Sequence, residues 1–240
     1  MPAPRFFCPT PLQAHTTIEL PAATAHHALR ALRLAHGDAV ILFDGRGGQY
    51  PATLSTSSTA PQASTGAHEP IECELQGRIH LIQGIASGDK MDWVVEKAVE
   101  LGVSDLHPIA ADRSVLRLTG TRLEKRLEHW CAIVQAASEQ CGRNRLMRVH
   151  APVPLAHGLN GLSGPVLFCH PDGAQSFAST LRGVKDEVNF VIGPEGGWSA
   201  EELAQARRQA LQAVQFGPRV LRTETAGVAI VAAATALLGW

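Results

Sequence analysis

Two short stretches combine residue types that suit ligand binding next to a backbone. The first is Gly193-Pro194-Glu195-Gly196-Gly197-Trp198. Its glycines let main chain approach a ligand closely or take positive φ, and Pro194 stiffens the entry. The second is Phe216-Gly217-Pro218-Arg219-Val220-Leu221-Arg222-Thr223-Glu224-Thr225, which leads into an almost wholly apolar run. Helix capping accounts for Thr223 or Glu224. It does not call for Arg219 and Arg222 at the positive end of a helix dipole, so these guanidiniums are available to a ligand. Neither stretch is a phosphate loop, since no GxxxxGK[ST] is present and no GxGxxG opens a helix.

Both loops need strands behind them. Val166–Cys169, Val188–Ile192 and Ala213–Phe216 are short apolar runs of the kind buried in parallel sheets. Arg78–Ala86 is a fourth candidate. Between the runs lie helical patterns at Lys90–Leu101, ending at Gly102, and at Thr121–Cys141. Ser199 followed by Glu202 is a capping-box start for a helix to Ala210. Strands alternating with helices predict an α/β sheet, with ligands bound beyond the carboxyl ends of the strands.

Residues 1–70 have a different texture. Thr16–Leu20, Ala39–Phe43 and Gln49–Leu54 read as strands, with Asp44-Gly45-Arg46-Gly47-Gly48 as turn chemistry. Thr24–Leu34 reads as a short helix, and the Ser/Thr/Ala/Pro-rich stretch 55–68 as a loop or irregular hairpin. The composition break predicts two domains, 1–70 and 71–240.

Composition excludes several classes. With 45% hydrophobic and 18% charged residues, the chain is globular rather than disordered. The longest apolar stretch, Ala226–Trp240, is shorter than the ~20 residues a membrane span needs. The amino terminus has no signal-peptide pattern, so a cytoplasmic location is expected. Five scattered cysteines without a CxxC pair, and His26-His27 without metal spacing, predict neither disulfide framework nor zinc site. Net charge is −1, yet between Arg113 and Arg148 eight basic residues, Arg117 among them, face three glutamates. That run is either a solvated face or a phosphate-binding surface.

Taken together, Phe43-Asp44-Gly45, Gly88-Asp89-Lys90-Met91-Asp92, Glu139-Gln140-Cys141-Gly142-Arg143 and the two loops resemble the SPOUT-superfamily enzymes that form 3-methyluridine in small-subunit (16S) ribosomal RNA. The resemblance runs from Arg5 to the carboxyl terminus. It implies a small N-terminal PUA-like β-barrel and a C-terminal α/β domain threaded into a trefoil knot. It also implies a homodimer, S-adenosylmethionine as methyl donor, and ribosomal RNA or the assembled 30S subunit as partner.

Carried over, the cofactor would contact Leu167, Cys169, His170, Pro171, Gly193, Pro194, Glu195, Gly196, Gly197, Phe216, Gly217, Val220, Leu221, Arg222 and Thr223. RNA contacts are expected from Arg5, Arg30, Arg33, Lys90, Arg113, Arg143 and Arg145. Uracil N3 must lose its imide proton, which leaves negative charge on O2 and O4. Arg222 is the first candidate to hold that charge, with Arg143 and Arg219 behind it, and Glu139 and Glu224 are candidate bases. The sulfonium methyl is already activated, so no metal is required. Two positions depart from the resemblance: Ser87, where a basic residue is common, and Asp112, where Glu is usual. Other SPOUT enzymes (ribose 2′-O or tRNA base) and a non-catalytic ribosome-assembly factor are the alternative readings.

Overall fold

The computed structural model describes residues 3–57, 60–116 and 118–240. Arg117 of the basic run, and two residues of the Ser/Thr-rich stretch, lie outside the described residues. The chain divides into two compact units, Met1–Glu74 with Gln135–Leu146, and Leu75–Val134 with Met147–Trp240.

The first unit is built on five strands and one short helix. These are β1 (Arg5–Phe7), β2 (Thr17–Glu19), α1 (Ala22–His26), β3 (Ala39–Phe43), β4 (Tyr50–Ser55) and β5 (Gln62–Thr65). They form a sheet in the order β1-β3-β4-β5-β2, with β1 parallel to β3 and the other pairs antiparallel. Alternation places Val40, Leu42, Ala52, Leu54 and Ala63 inward, where they meet Phe6, Leu12, Leu20 and Ala28. β5 lies inside the Ser/Thr-rich stretch and makes it the second arm of a hairpin with β4. The β3–β4 turn is held by Asp44, whose carboxylate accepts from the N–H groups of Arg46 and Leu12. α1 runs on into a π-helical turn to Ala31 and stops before Leu34, because Arg33 takes φ 56°.

The second unit carries the remaining elements. They are β6 (Arg78–Gly84), α2 (Lys90–Glu100), β7 (Asp105–Ile109), α3 (Gly120–Cys141, whose last turns belong to the first unit), β8 (Arg148–Val149), α4 (Leu155–Gly158), β9 (Val166–Cys169), β10 (Gln175–Ser176), α5 (Phe177–Thr180), β11 (Glu187–Ile192), α6 (Ala200–Arg208), β12 (Gln212–Gln215) and α7 (Thr223–Leu238). The strands form one parallel sheet ordered β10-β12-β9-β11-β6-β7-β8. β6 and β11 are buried almost throughout, as strands with both faces covered must be.

Sequence periodicity did not reveal β7, whose Asp-Leu-His-Pro-Ile mixes polar residues and proline, yet it pairs with β6 over its whole length. α2 buries Met91, Val94, Val95, Ala98 and Val99. The amino-terminal half of α3 is tied to α2 through Asp92, which accepts from Trp130 Nε1 at 3.0 Å and pairs with Arg126 at 3.2 Å. α6 begins at the expected capping box, with both reciprocal Ser199–Glu202 bonds formed. α7 packs on α2, β6 and β11, burying Gly227, Ile230, Val231 and Ala234. No described helix is long and apolar enough to cross a membrane.

Candidate active site

Three neighbouring strands, β12, β9 and β11, end side by side, and the chain after each one turns into the wall of a cavity of about 510 Å³. At the end of β9 stand Cys169, His170 and Pro171; after β11, Gly193, Pro194, Glu195, Gly197 and Trp198; after β12, Phe216 and Gly217. The strip Arg219–Thr223, the first turns of α7 and Lys90 of α2 complete it. The walls are mainly apolar side chains and main chain, which suits a ligand recognised through backbone groups.

Hydrogen bonds across the unit hold these loops together. Thr223 Oγ1 donates to the Gly193 carbonyl at 2.5 Å and accepts from Gln83 Nε2 at 2.8 Å, so β6, the first loop and α7 share one side chain. A Cβ on Gly84 would stand 2.4 Å from Pro194 N, so only glycine lets this loop pass over β6. Gly197 adopts φ 67°. Gly196 has a different reason to be glycine: its missing Cβ would stand 2.9 Å from Arg113 Cβ.

The polar edge of the cavity is organised around Glu195. Burial alone would raise its carboxyl, but hydrogen bonds from the Ser87 N–H (2.9 Å) and Oγ–H (2.7 Å), with Lys90 nearby, hold it below the usual range. Lys90 Nζ lies 3.5 Å from Glu195 and 3.6 Å from Glu224. Ser87, one of the two departures, therefore anchors a cavity carboxylate. Asp112, the other, holds the start of α6: it accepts from Ser199 Oγ at 2.5 Å, and its N–H donates to Glu202 at 3.1 Å. Arg222 is the exposed N-cap residue of α7, and Arg219 is exposed beside it. Burial pushes the Cys169 thiol up to about 12, which leaves it protonated and useless as a nucleophile.

Most of the expected cofactor residues meet at this cavity. Leu167 does not line it, being wholly buried within β9, and Gly196 packs on Arg113 instead. Lys90, expected at RNA, lies in the cavity wall, which helical periodicity had no means of showing. Glu139 and Arg143 belong to the first unit and do not line the cavity. One Glu139 oxygen accepts from the Phe7 N–H at 2.8 Å, and burial raises its carboxyl above the usual value. Arg143 corrects the expectation made for it. Its side chain is 4% exposed and paired with Glu74 through two bonds of 3.0 and 2.6 Å, so it presents no open fork to a phosphate or to a uracil carbonyl.

The other expected RNA residues differ in availability. Arg30 and Arg33 are exposed. Arg5 donates to Gln49 and Asn144, Arg145 pairs with Glu72 at 3.3 Å, and Arg113 donates to the Gly196 carbonyl at 3.3 Å. The basic run is thus partly neutralised where it lies.

Comparison with known proteins places this geometry. The family described as RNA methyltransferase domain matches residues 73–235, and the RNA methyltransferase PUA domain matches residues 20–59. Ribosomal RNA small subunit methyltransferase E of Synechocystis is 30% identical over 92% of this chain and 74% of its own. The Neisseria gonorrhoeae protein of the same name, solved with S-adenosyl methionine bound, is 34% identical, with a TM-score of 0.88 over 98% of both chains. This chain belongs to the ribosomal RNA small subunit methyltransferase E family. A Legionella pneumophila methyltransferase with bound cofactor superimposes on this member of the E family with a TM-score of 0.93 over 98% of both chains, at 28% identity. The expected fold class, a parallel α/β methyltransferase domain with a small N-terminal β domain of PUA type, agrees with these neighbours. Membership makes the chain a methyltransferase acting on RNA.

Proposed function

We propose that this chain transfers the methyl group of S-adenosylmethionine to N3 of one uridine in 16S ribosomal RNA. The observation that carries the reading is the convergence of three strand-end loops and the start of α7 on one cavity with Arg222 at its edge. The cavity suits the cofactor in size and lining. Trp198 Nε1, buried in its wall, has no hydrogen-bond partner among the described residues, as expected of a site that receives a polar ligand. His170, Pro171, Gly193, Glu195, Phe216 and Leu221 are the residues we assign to it, with the other loop positions expected from sequence behind them. When bound, the cofactor supplies a methyl group already activated by its sulfonium.

The chain's own task is to make uracil N3 nucleophilic and to orient it. Arg222 would pair with a uracil carbonyl as negative charge spreads over O2 and O4. Glu224, one residue on and 3.6 Å from Lys90, is the base we favour over Glu139, whose carboxylate already holds the Phe7 amide. Residues 1–70 would act as the RNA-binding module and 71–240 as the knotted methyltransferase domain, in the cytoplasm and without a catalytic metal. A homodimer is part of the reading. Leu237 on the outer side of α7 is 58% exposed and Trp93 of α2 is 41% exposed, so these packed helices leave apolar surface to cover.

The test is 16S RNA or 30S subunits from a strain lacking the gene, incubated with pure enzyme and labelled cofactor, followed by nucleoside analysis. Label in 3-methyluridine is the expected result. Label in a 2′-O-methyl nucleoside or in a methylguanosine would overturn the uridine assignment.

A further inference from the structure

At the amino-terminal ends of the same sheet, opposite the cavity, a polar cluster occupies a face that is otherwise aliphatic. The register pairs His80 with Asp105 and Ile82 with His107, so His80, Asp105 and His107 leave the same face of β6 and β7. Further along these strands and on β11, that face carries Ile82, Ile109 and Val191, all buried in an apolar core. His80 Nδ1 and His107 Nε2 are 3.2 Å apart, and one donor atom from each of the three residues lies within 4.8 Å of the others. His80 is 8% exposed, and its second nitrogen, Nε2, has no hydrogen-bond partner among the described residues. That nitrogen faces two carboxylates, Glu187 at 3.6 Å and Asp105 at 4.0 Å.

A shared proton between the two imidazoles would explain the 3.2 Å approach by itself. It gives no part to Asp105, whose carboxylate lies within 4.8 Å of a donor nitrogen on each imidazole. A cation on His80 Nδ1, His107 Nε2 and the Asp105 carboxylate uses all three donors, and it leaves the Nε2–H of His80 directed at Glu187, as a ligating histidine normally directs its second nitrogen to a carboxylate. We propose that His80, Asp105 and His107 form a binding site for a zinc-class divalent ion that stiffens the β6–β7 pair. Two imidazoles and a carboxylate are an N/O donor set suited to Zn²⁺. Ligand atoms about 2.0–2.1 Å from a tetrahedral ion stand roughly 3.4 Å apart, close to the His80–His107 separation. His107 is half-buried, which leaves room for water as a fourth ligand.

The surroundings supply outer support and a route of entry. His150 bonds to the other Asp105 oxygen at 2.9 Å and stacks on the His107 ring at 4.0 Å, which fixes both ligands in orientation. Arg78 and Arg148 also touch Asp105, at 3.0 and 3.8 Å. Their side chains are 56% and 72% exposed, so they can turn into solvent as an ion enters.

The test uses the full chain after dialysis against EDTA. ZnCl₂ is titrated against a chromophoric competitor, and thermal unfolding is followed with and without the metal. The expected result is one tight equivalent, at least about tenfold tighter than any further zinc, with Tm raised by a few degrees through binding to the folded state. His80→Gln combined with His107→Gln should remove that equivalent and the rise in Tm. Because these positions are buried, a crystal of the unaltered protein soaked in zinc gives a second readout. An anomalous peak within bonding distance of His80 and His107 is expected. No tight equivalent, a peak elsewhere only, or tight binding retained by the folded double variant would each overturn the proposal.

Discussion

Arg222 shows what the type of a single residue can and cannot reveal. Its place ahead of an apolar helix was legible in the sequence, because capping has no use for an arginine there. The charge it is proposed to hold develops mainly during reaction. Arg222→Ala should therefore lower the single-turnover methylation rate by about 100- to 1000-fold while leaving cofactor affinity within a few-fold. Equal losses in rate and cofactor binding would contradict that role. Arg143 was not legible in the same way: its partner Glu74 is 69 positions distant, and only the folded unit shows the guanidinium to be enclosed.

Glu139 permits a test by pH. Burial raises its carboxyl above 4.5, so between that value and its folded-state value the native protein holds more protons than the unfolded chain. Stability from this group falls as pH rises through that window, and above it the cost of a buried charge is complete. Glu139→Gln, which can still accept from Phe7, should unfold a few degrees higher than the parent at neutral pH. The difference should vanish below about pH 4.5, where both side chains are neutral. A variant less stable at pH 7 would show that the charge itself is needed.

At the scale of elements, the strands that end at the cavity and the α6 capping box were legible because burial on both faces and reciprocal capping leave local signatures. β7 was hidden by histidine and proline in a buried strand, whereas serine and threonine left β5 legible only as part of a loop or irregular hairpin. Gly84 belongs to a class no local pattern reveals, since its need for glycine comes from Pro194 crossing over it. Gly84→Ala should force backbone apart and cost about 1–3 kcal/mol in stability. Because the displaced segment is the Gly193–Trp198 loop, cofactor affinity should weaken by about tenfold or more, equivalent to 1.4 kcal/mol. Chemical denaturation and calorimetry on the folded fraction separate the two effects. Unchanged affinity would mean that the loop tolerates the shift.

At the scale of the molecule, the composition break near residue 70 did not disclose that Gln135–Leu146 belongs to the first unit. The bond from Phe7 to Glu139 and the one from Asn144 to the Ile71 carbonyl hold that segment in place. A chain lacking residues 1–70 would therefore leave part of a core uncovered. We expect it to unfold at least 5 °C below the full chain, on the order of 1 kcal/mol or more, and to lose RNA affinity. RNA binding by the full chain should weaken steeply as salt rises, as phosphate contacts require. A truncated chain with unaltered melting temperature and RNA affinity would refute the assigned module. Light scattering at micromolar protein addresses assembly, with a dimer mass expected for the parent and a monomer for Leu237→Glu.

Trp198 gives the cavity an optical consequence. Its indole is 4% exposed, stands 5.5 Å from the Phe168 ring, and lies in the cavity wall. An arriving ligand would alter the polarity around that ring directly. The other three tryptophans, Trp93, Trp130 and Trp240, do not line the cavity. Intrinsic emission should therefore shift on titration with S-adenosylmethionine, and Trp198→Phe should abolish most of the shift while the remaining fluorescence persists. A shift of full size in that variant would place the signal elsewhere. If the shift belongs to Trp198, occupancy of the site can be followed in real time without a label, in the same cuvette in which RNA is added.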